Sequence, residues 1–311
     1  MVVEFTDEKV ENILRQTDNV NNVGFRKFLV ERQKYNYFFD ARTYFAAYSI
    51  SKKLKQDYDH VTVICGLEGS GKSTFASLFC TVVSPDMNIH HVCYEPGDLI
   101  DALKISKKGD TVWIDEGGLF LFSREAMGKN NRRIVKLLTI CRQLNLHVVI
   151  CIPNFFIMDT YLRDHRVNFL FQVTKRGKFV FYNKKAVQLV SAIGKRTKNV
   201  SGVRVPNGTF YNGYYNNDFG VTPTFTKDIY EEKKSANMDK HLAELKIEYG
   251  DDDPGSEKSG FVSLTTFLKS VPIARPTALR MLNSGDIPGR KIGAKWFINE
   301  DYLSVGDGKV S

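Results

Sequence analysis

The run VTVICGLEGSGKST at residues 61–74 constrains the fold of this chain more than any other stretch. It joins a short apolar run rich in β-branched residues to a glycine-rich turn, and the turn leads into a helical pattern. The pattern G-x-x-x-x-G-K-S over residues 66–73 is typical of a phosphate-binding loop between a strand and a helix. The alternative is a glycine turn that carries a lysine by chance.

The chemistry of phosphate binding explains these residue types. Gly66, Gly69 and Gly71 have no Cβ, so the backbone can turn its N–H groups inward, and the positive end of the next helix faces the same space. We expect Lys72 to reach the β- and γ-phosphates of ATP and the Ser73 hydroxyl to bind Mg²⁺. The predicted cradle consists of Gly66, Leu67, Glu68, Gly69, Ser70, Gly71, Lys72, Ser73 and Thr74.

A second signal is the apolar run 111–114, which is followed directly by Asp115 and Glu116. The carboxyl ends of parallel strands gather at one edge of a sheet, so these acids should lie beside the loop. We expect Asp115 to hold Mg²⁺, mostly through water, and Glu116 to polarise the attacking water. A kinase of small substrates needs no such glutamate, whereas an ATP hydrolase does. The alternative is a solvated turn with two adjacent acids.

A third signal is the apolar run 146–152, followed by Pro153 and Asn154. In water-activating P-loop ATPases the strand next to the acidic one often ends in a polar residue, and this similarity implies that Asn154 contacts the γ-phosphate or the attacking water. The alternative is an asparagine that caps the next helix. Charge on the transferred phosphoryl group commonly needs an arginine, and Arg163 is our candidate. For Arg163 the alternative is a surface ion pair.

Strand and helix patterns alternate after residue 60. Strands are predicted at 61–65, 91–94, 111–114, 146–152 and 169–173, and helices at 73–82, 98–104, 132–145 and 156–164. This alternation predicts an α/β fold with a mainly parallel sheet and helices on both faces. A hairpin is predicted at Gly177. Before this region we expect a loosely ordered stretch at 1–24 and helices at 25–34 and 40–56.

Composition changes suggest four regions. They are a helical N-terminal extension (1–57), a P-loop core (58–195), an irregular segment that ends in an acidic linker (196–258) and a small C-terminal module (259–311). Within the irregular segment a helix is predicted at 237–248. The linker is the run DDDPGS at 251–256, in which charge and a proline stop any regular element.

The overall charge and the cysteines limit partners and location. Lys and Arg number 44 against 35 Asp and Glu, a net charge of +9, which favours an anionic partner such as nucleic acid or a membrane surface. The five cysteines are scattered without a C-x-x-C pair, as expected for buried thiols in a reducing cytoplasm. The start of the chain is acidic and polar, so we expect no signal peptide, and residues 148–158 are too short to span a membrane.

The segments ICGLEGSGKST, VWIDEGG and CRQLNLHVVICIPNFFIMDTYLRDHRV carry a resemblance. They resemble the additional-strand class of P-loop ATPases, and within it the FtsK/HerA-type and Zot-like motors of DNA transfer and phage assembly. The resemblance implies a RecA-like fold, hydrolysis of ATP with Mg²⁺, and a homo-oligomer that shares active sites. It also suggests that a virus, plasmid or other mobile element encodes the chain. Those motors usually carry glutamine where this chain has Pro153 and Asn154.

Residues 260–303 resemble the excisionase/MerR-like winged helix-turn-helix, on a pattern of two short helices and a basic hairpin at 289–298. The resemblance implies binding of duplex DNA. It assigns Arg275, Thr277 and Arg280 to the major groove. It assigns the hairpin residues Arg290, Lys291 and Lys295 to phosphates or the minor groove. The alternative is a winged helix that binds protein.

Together these patterns predict a Mg²⁺-dependent ATP hydrolase that acts on DNA as an oligomeric motor or remodeller. The alternative is an ATP-dependent switch that controls DNA occupancy or partner recruitment without translocation. A kinase of nucleotides or other small molecules is a third possibility, which Glu116 and the C-terminal module disfavour.

Overall fold

The computed structural model of this chain describes residues 7–32, 39–115, 136, 138–220, 225–249, 261–271, 273–292 and 295–299. The chain divides into two compact units, residues 1–235 and 236–311. The helices of the first unit are α1 (Asp7–Gln16), α2 (Val23–Arg32), α3 (Ala41–Lys55), α4 (Lys72–Val83), α5 (Pro96–Ile105), α6 (138–143) and α7 (Lys184–Gly194). Helix α8 (Lys227–Tyr249) begins in the first unit and continues into the second.

A seven-stranded sheet forms the centre of the first unit. Its strands are β1 (His60–Cys65), β2 (Val92–Cys93), β3 (Thr111–Ile114), β4 (His147–Ile152), β5 (Val167–Lys175), β6 (Lys178–Tyr182) and β7 (Phe210–Tyr214). Their order is β2-β3-β4-β1-β5-β6-β7. The first five in this order run parallel, and β6 and β7 are antiparallel additions at one edge. The predicted α/β class, with a mainly parallel sheet, is confirmed.

Two hydrophobic cores lie on the two faces of this sheet. Along β1, Ile64 belongs to one core, while Val63 and Cys65 belong to the other, because side chains alternate along a strand. Helices α1–α4 contribute to the first core and α5–α7 to the second. Every residue of β1 and β4 is buried, which is typical of parallel strands covered by helices on both sides.

The expected loosely ordered stretch at 1–24 is wrong, because residues 7–16 form helix α1. Val10, Ile13 and Leu14 are buried, at the i, i+3 and i+4 spacing of one helix face. Polar composition around these three residues concealed an amphipathic helix.

The single helix expected at 156–164 is also wrong. The chain forms a short 3₁₀ turn at Phe155–Ile157 and a five-residue π turn at Leu162–Arg166. Asn154 accepts a hydrogen bond from the Phe156 N–H, and Asp159 accepts one from the Tyr161 N–H. Two local caps therefore divide this segment into separate turns.

The segment 196–258, expected to be irregular apart from a helix at 237–248, contains strand β7 and all of helix α8, which begins ten residues earlier than expected. Strand β7 reads FYNGY and lacks a regular apolar alternation. It pairs with β6 over all five of its residues, so pairing with a neighbour rather than its own pattern defines it.

Two buried histidines, His60 and His147, connect the neighbouring strands β3, β4 and β1 near their N-terminal ends. The His147 ring nitrogens lie 3.0 Å from Thr62 Oγ1 and 3.1 Å from Thr111 Oγ1, and Thr62 Oγ1 lies 3.3 Å from His60 Nδ1. Burial lowers the pKa of His147 to about 3. Burial, followed by the charge of His147, also lowers the pKa of His60 well below its usual value.

We expect these histidines to make folding sensitive to mild acid. Below about pH 6.5 the unfolded chain gains protons that the folded chain does not accept until the pH nears 3, so the free energy of unfolding falls as pH falls. For His147 alone the loss between pH 7 and pH 5 is about 2 kcal/mol.

Urea unfolding at both pH values measures this loss of stability. A His147→Gln variant should lose stability at pH 7 but show a smaller further loss at pH 5. The exposed His165→Gln control should keep the wild-type pH dependence. A His147→Gln variant that loses as much unfolding free energy between pH 7 and pH 5 as the wild type would contradict this account.

The second unit contains a three-stranded antiparallel sheet and two short helices. They are β8 (Phe261–Ser263), α9 (Leu264–Ser270), α10 (Arg275–Ser284), β9 (Gly289–Ile292) and β10 (Lys295–Asn299), with sheet order β8-β10-β9. A small core forms from Leu264, Phe267, Ala278, Leu282, Ile287 and Ile298. The two predicted helices and the predicted hairpin are confirmed as elements, and residues 293–294 between the two hairpin strands lie outside the described residues.

No helix in the part of the chain that the structure describes combines the length and apolar character needed to cross a lipid bilayer.

Candidate active site

The glycine-rich loop joins the end of β1 to the start of α4, as the sequence pattern predicts. Gly71 caps the helix with φ +96°, a left-handed conformation that favours glycine. A Cβ on Gly66 would lie 2.4 Å from the carbonyl oxygen of Val173 in β5, so a larger residue would displace the loop. These two glycines therefore have separate physical reasons for their positions.

A cavity of about 690 Å³ opens beside this loop at the carboxyl edge of the parallel strands. Pockets of about 300–1,000 Å³ commonly bind small molecules. Of the predicted cradle, the residues that line the cavity are Glu68, Gly69, Gly71, Lys72, Ser73 and Thr74. The other three residues do not line it. Ser70 is buried, Leu67 is 80% exposed, and the Gly66 carbonyl accepts a hydrogen bond from Lys72.

The Lys72 ammonium group is folded back over its own loop. Its Nζ donates hydrogen bonds to the carbonyl oxygens of Gly66 and Leu67, both at 2.9 Å. The lysine also lines the cavity, so a phosphate bound there would compete with these carbonyls for the ammonium group.

Ser73 and Asp115 come together on the cavity wall, although 42 residues separate them. The Ser73 hydroxyl lies 3.2 Å from each carboxylate oxygen of Asp115. Asp115 directly follows β3 and is 1% exposed. A hydroxyl and a carboxylate are oxygen ligands of the kind that Mg²⁺ prefers, so this pair fits the predicted metal. Glu116 lies outside the described residues.

Tyr230 is a residue of this site that sequence reasoning missed. Its hydroxyl donates a hydrogen bond to Asp115 Oδ2 at 2.5 Å. Its ring stacks on Trp113, with centroids 5.3 Å apart and planes 4° from parallel. Burial, and then the nearby Asp115 carboxylate, raise the pKa of Tyr230 well above its usual value. The tyrosine therefore remains a protonated donor.

Arg176 is a second residue that the sequence did not indicate. It follows β5 in the tight connection to β6, and its Nε donates to the carbonyl oxygen of Gly69 at 3.2 Å. Its side chain lines the cavity together with Lys227 and Lys234 from α8. Three cationic side chains thus line the cavity in addition to Lys72.

Residues 215–220 and 225–235, named here the return segment, cross the carboxyl edge of the sheet after β7. Near its start, the Tyr215 hydroxyl donates to the carbonyl oxygen of Gly71 at 3.2 Å. The Gly220 N–H then donates to Ser77 Oγ in α4 at 2.9 Å. Near its end, Lys233 Nζ donates to the Val92 carbonyl in β2 at 2.5 Å. The return segment therefore covers the site from the β7 edge to the β2 edge.

Asn154 and Arg163, two predicted catalytic residues, do not line this cavity. Asn154 accepts from the Phe156 N–H at 2.8 Å and donates to the Lys198 carbonyl at 3.3 Å. Arg163 is 4% exposed, and its Nε donates to Asp164 Oδ1 at 3.0 Å and Ser191 Oγ at 2.9 Å. These contacts are those of a capping residue and a packed arginine, so we assign neither residue a catalytic role below.

The five cysteines are free and buried, as the sequence suggested. Burial raises the pKa of Cys65 to about 12, so this thiol stays protonated at neutral pH. Cys151 lines the cavity near Asp115, and burial followed by that carboxylate raises its pKa well above the usual value.

The predicted DNA-contacting residues all lie in the second unit. Arg275 and Arg280 are exposed on α10, and Thr277 between them is partly buried. Arg290 and Lys291 belong to β9 and Lys295 to β10, and the side chains of these three lie outside the described residues.

Comparison with known proteins adds no family assignment. A scan against protein-family models finds none that matches this chain, and a search of curated proteins finds no match.

Proposed function

We propose that this chain is a RecA-like P-loop ATPase that hydrolyses ATP with Mg²⁺ and acts on DNA. The observation that carries the proposal is the meeting of Lys72, Ser73 and Asp115 around one cavity of about 690 Å³. These three residue types, on a glycine loop and a neighbouring strand end, match the needs of a metal-bound triphosphate. A phosphate-binding loop without the acid would support nucleotide binding much less specifically.

Each residue has a defined task in this proposal. The loop N–H groups and the start of α4 attract the phosphates, and Lys72 exchanges its two loop carbonyls for phosphate oxygens. Ser73 and Asp115 would hold Mg²⁺, which would supply positive charge to the phosphate oxygens. Glu116, the next residue after Asp115, polarises the attacking water. Arg176, which lines the cavity, supplies the additional positive charge that was first assigned to Arg163.

The DNA partner is proposed from the second unit and from charge. Two short helices followed by a hairpin support a winged helix-turn-helix, and α10 exposes Arg275 and Arg280. The net charge of +9 is also suited to a phosphate backbone. The resemblance supports a homo-oligomer and a mobile-element origin as further proposals. The five free, buried cysteines support a cytoplasmic location.

One observation favours the alternative, in which ATP operates a switch without translocation. Helix α8 supplies four residues to the wall of the cavity: Lys227, Tyr230, Glu231 and Lys234. A helix in direct reach of the bound nucleotide is a suitable element for responding to nucleotide state.

The test of function is ATP hydrolysis by the full chain without DNA, with linear duplex DNA and with single-stranded DNA, together with sizing in ATP. A rate that grows with DNA length supports a motor. Stimulation that is independent of length supports the switch. Absence of Mg²⁺-dependent hydrolysis and of nucleotide binding would reject both.

We expect Arg280→Ala to weaken duplex DNA binding by about 5- to 100-fold, since one base-contacting arginine contributes about 1–3 kcal/mol. Removing Lys291 or Lys295 should lower the salt dependence of binding by about one unit of slope. Fluorescence anisotropy at several salt concentrations measures both effects. Lys269→Ala, an exposed cation on α9, is the matched control. Equal affinities for Arg280→Ala and Lys269→Ala would reject this DNA-binding surface.

A further inference from the structure

We propose that Tyr230 is a positioning residue. Its hydroxyl holds the Asp115 carboxylate in the orientation that receives magnesium beside Ser73. The inference rests on the proposed function and extends it to a residue outside the P-loop motifs. Tyr230 would not touch the nucleotide in this role. It would act through Asp115.

The hydrogen bond from Tyr230 distinguishes the two carboxylate oxygens of Asp115. The Tyr230 hydroxyl donates to Oδ2 at 2.5 Å, and the Ser73 hydroxyl lies at 3.2 Å from both oxygens. The short bond from Tyr230 therefore fixes Oδ2, and the Ser73 hydroxyl, which is equally close to Oδ2, also lies 3.2 Å from Oδ1. An Mg²⁺ ion bound by Ser73 would find this oxygen, or a water held by it, on the same side.

Burial makes the orientation of the carboxylate dependent on protein donors. Asp115 is 1% exposed, so bulk water cannot easily replace a lost hydrogen bond. A hydrogen bond to a buried carboxylate is charge-assisted and therefore stronger than one between neutral groups. Without the Tyr230 hydroxyl, the carboxylate could rotate away from the direction that suits the metal.

Packing of the Tyr230 ring determines the direction of its hydroxyl, and the ring packs on the strand that leads to Asp115. Trp113 lies two residues before Asp115, and its ring stacks with Tyr230 at an interplanar angle of 4°. Phe219 packs against the same tyrosine, with ring centroids 4.8 Å apart. Tyr230 itself is 2% exposed. Phenylalanine at this position would keep the stacking and lose the hydroxyl, so the two contributions can be separated by mutation.

A Tyr230→Phe variant should need about tenfold more Mg²⁺ for half-maximal ATP hydrolysis, a factor that corresponds to about 1.4 kcal/mol. Its KM for ATP at saturating Mg²⁺ should stay within about twofold of wild type, because Lys72 and the loop amides are unchanged. A merely structural role for the hydroxyl would lower Tm without moving the Mg²⁺ requirement. The matched control is Tyr211→Phe, which removes the hydroxyl of a partly buried tyrosine that bonds Thr43 at 3.1 Å.

Trp113 offers a second readout that does not depend on turnover. The chain has two tryptophans, so a Trp296→Phe background leaves Trp113 as the fluorophore stacked on Tyr230. In this background, Mg²⁺ is titrated into the protein with ADP, with and without Tyr230→Phe. We expect the fluorescence midpoint to shift about tenfold upward in the variant.

The outcomes separate the two proposals. Equal Mg²⁺ midpoints in Tyr230→Phe and wild type, with nucleotide binding intact, would overturn the positioning role and leave the ATPase proposal standing. A wild-type chain that binds no nucleotide at any Mg²⁺ concentration would overturn the ATPase proposal and this inference with it. A shift of the same size in Tyr211→Phe would also overturn the inference, because the effect would then be general.

Discussion

Replacing Lys72 with alanine should reduce ATP affinity by at least about 100-fold, since the loss of a charged contact with buried phosphates costs roughly 3 kcal/mol or more. Lys72 is the first residue of α4 and lines the cavity. Its ammonium group donates to two loop carbonyls, and phosphate oxygens could replace these as acceptors. Isothermal titration calorimetry with ATP and Mg²⁺ measures the loss.

The Lys72→Ala variant should still fold, because its side chain is partly exposed and belongs to neither core. Lys55→Ala is a suitable control, since this lysine is exposed at the end of α3 and does not line the cavity. Near-normal ATP binding by Lys72→Ala, with an unchanged thermal midpoint, would mean that the loop is not a phosphate cradle.

Glu116→Gln is expected to bind ATP with near wild-type affinity and to hydrolyse it about 100- to 1,000-fold more slowly. The substitution keeps the size of the side chain and removes its capacity to accept a proton, which is the contribution of a general base. The expectation depends on position, because Glu116 directly follows Asp115, which lies on the cavity wall at the end of β3.

Single-turnover hydrolysis and calorimetry separate the two effects of Glu116→Gln. Glu8→Gln, at an exposed position of α1, controls for the loss of one negative charge. A turnover within about fivefold of wild type would remove Glu116 from the mechanism and make Glu231, a carboxylate that lines the cavity, the next candidate.

The parts of the site that were predicted from sequence are those encoded by contiguous residues. The loop takes its form from glycines next to a strand and a helix, and Asp115 is located by the end of its own strand. Parallel pairing then brings the two segments together without further information. Local patterns were therefore sufficient to predict that Lys72, Ser73 and Asp115 lie around one cavity.

The missed residues reach the site through contacts between distant parts of the chain. Tyr230 is 115 residues from Asp115, and Arg176 is 107 residues from Gly69. Neither stands in a motif, and the aromatic ring of Tyr230 gives no sign of its partner. Tertiary packing positions both residues, and a single sequence does not reveal it.

The prediction for Asn154 shows the opposite difficulty. Its place after β4 was correctly identified, since β4 ends at Ile152. However, a side-chain oxygen two residues before a free N–H forms a cap readily, and the bond to Phe156 at 2.8 Å is of this kind. Position on the chain did not determine where the amide group points.

The return segment has a consequence for how short a working fragment of this chain can be. The Val92 and Ile89 carbonyls accept bonds from Lys233, 141 and 144 residues later, and β2 itself has two residues. A truncation at residue 195, where the motifs end, would strip the β2 edge of these partners and open the indole of Trp113 to solvent. The minimal excisable ATPase piece should therefore extend to about residue 235, the end of the first compact unit.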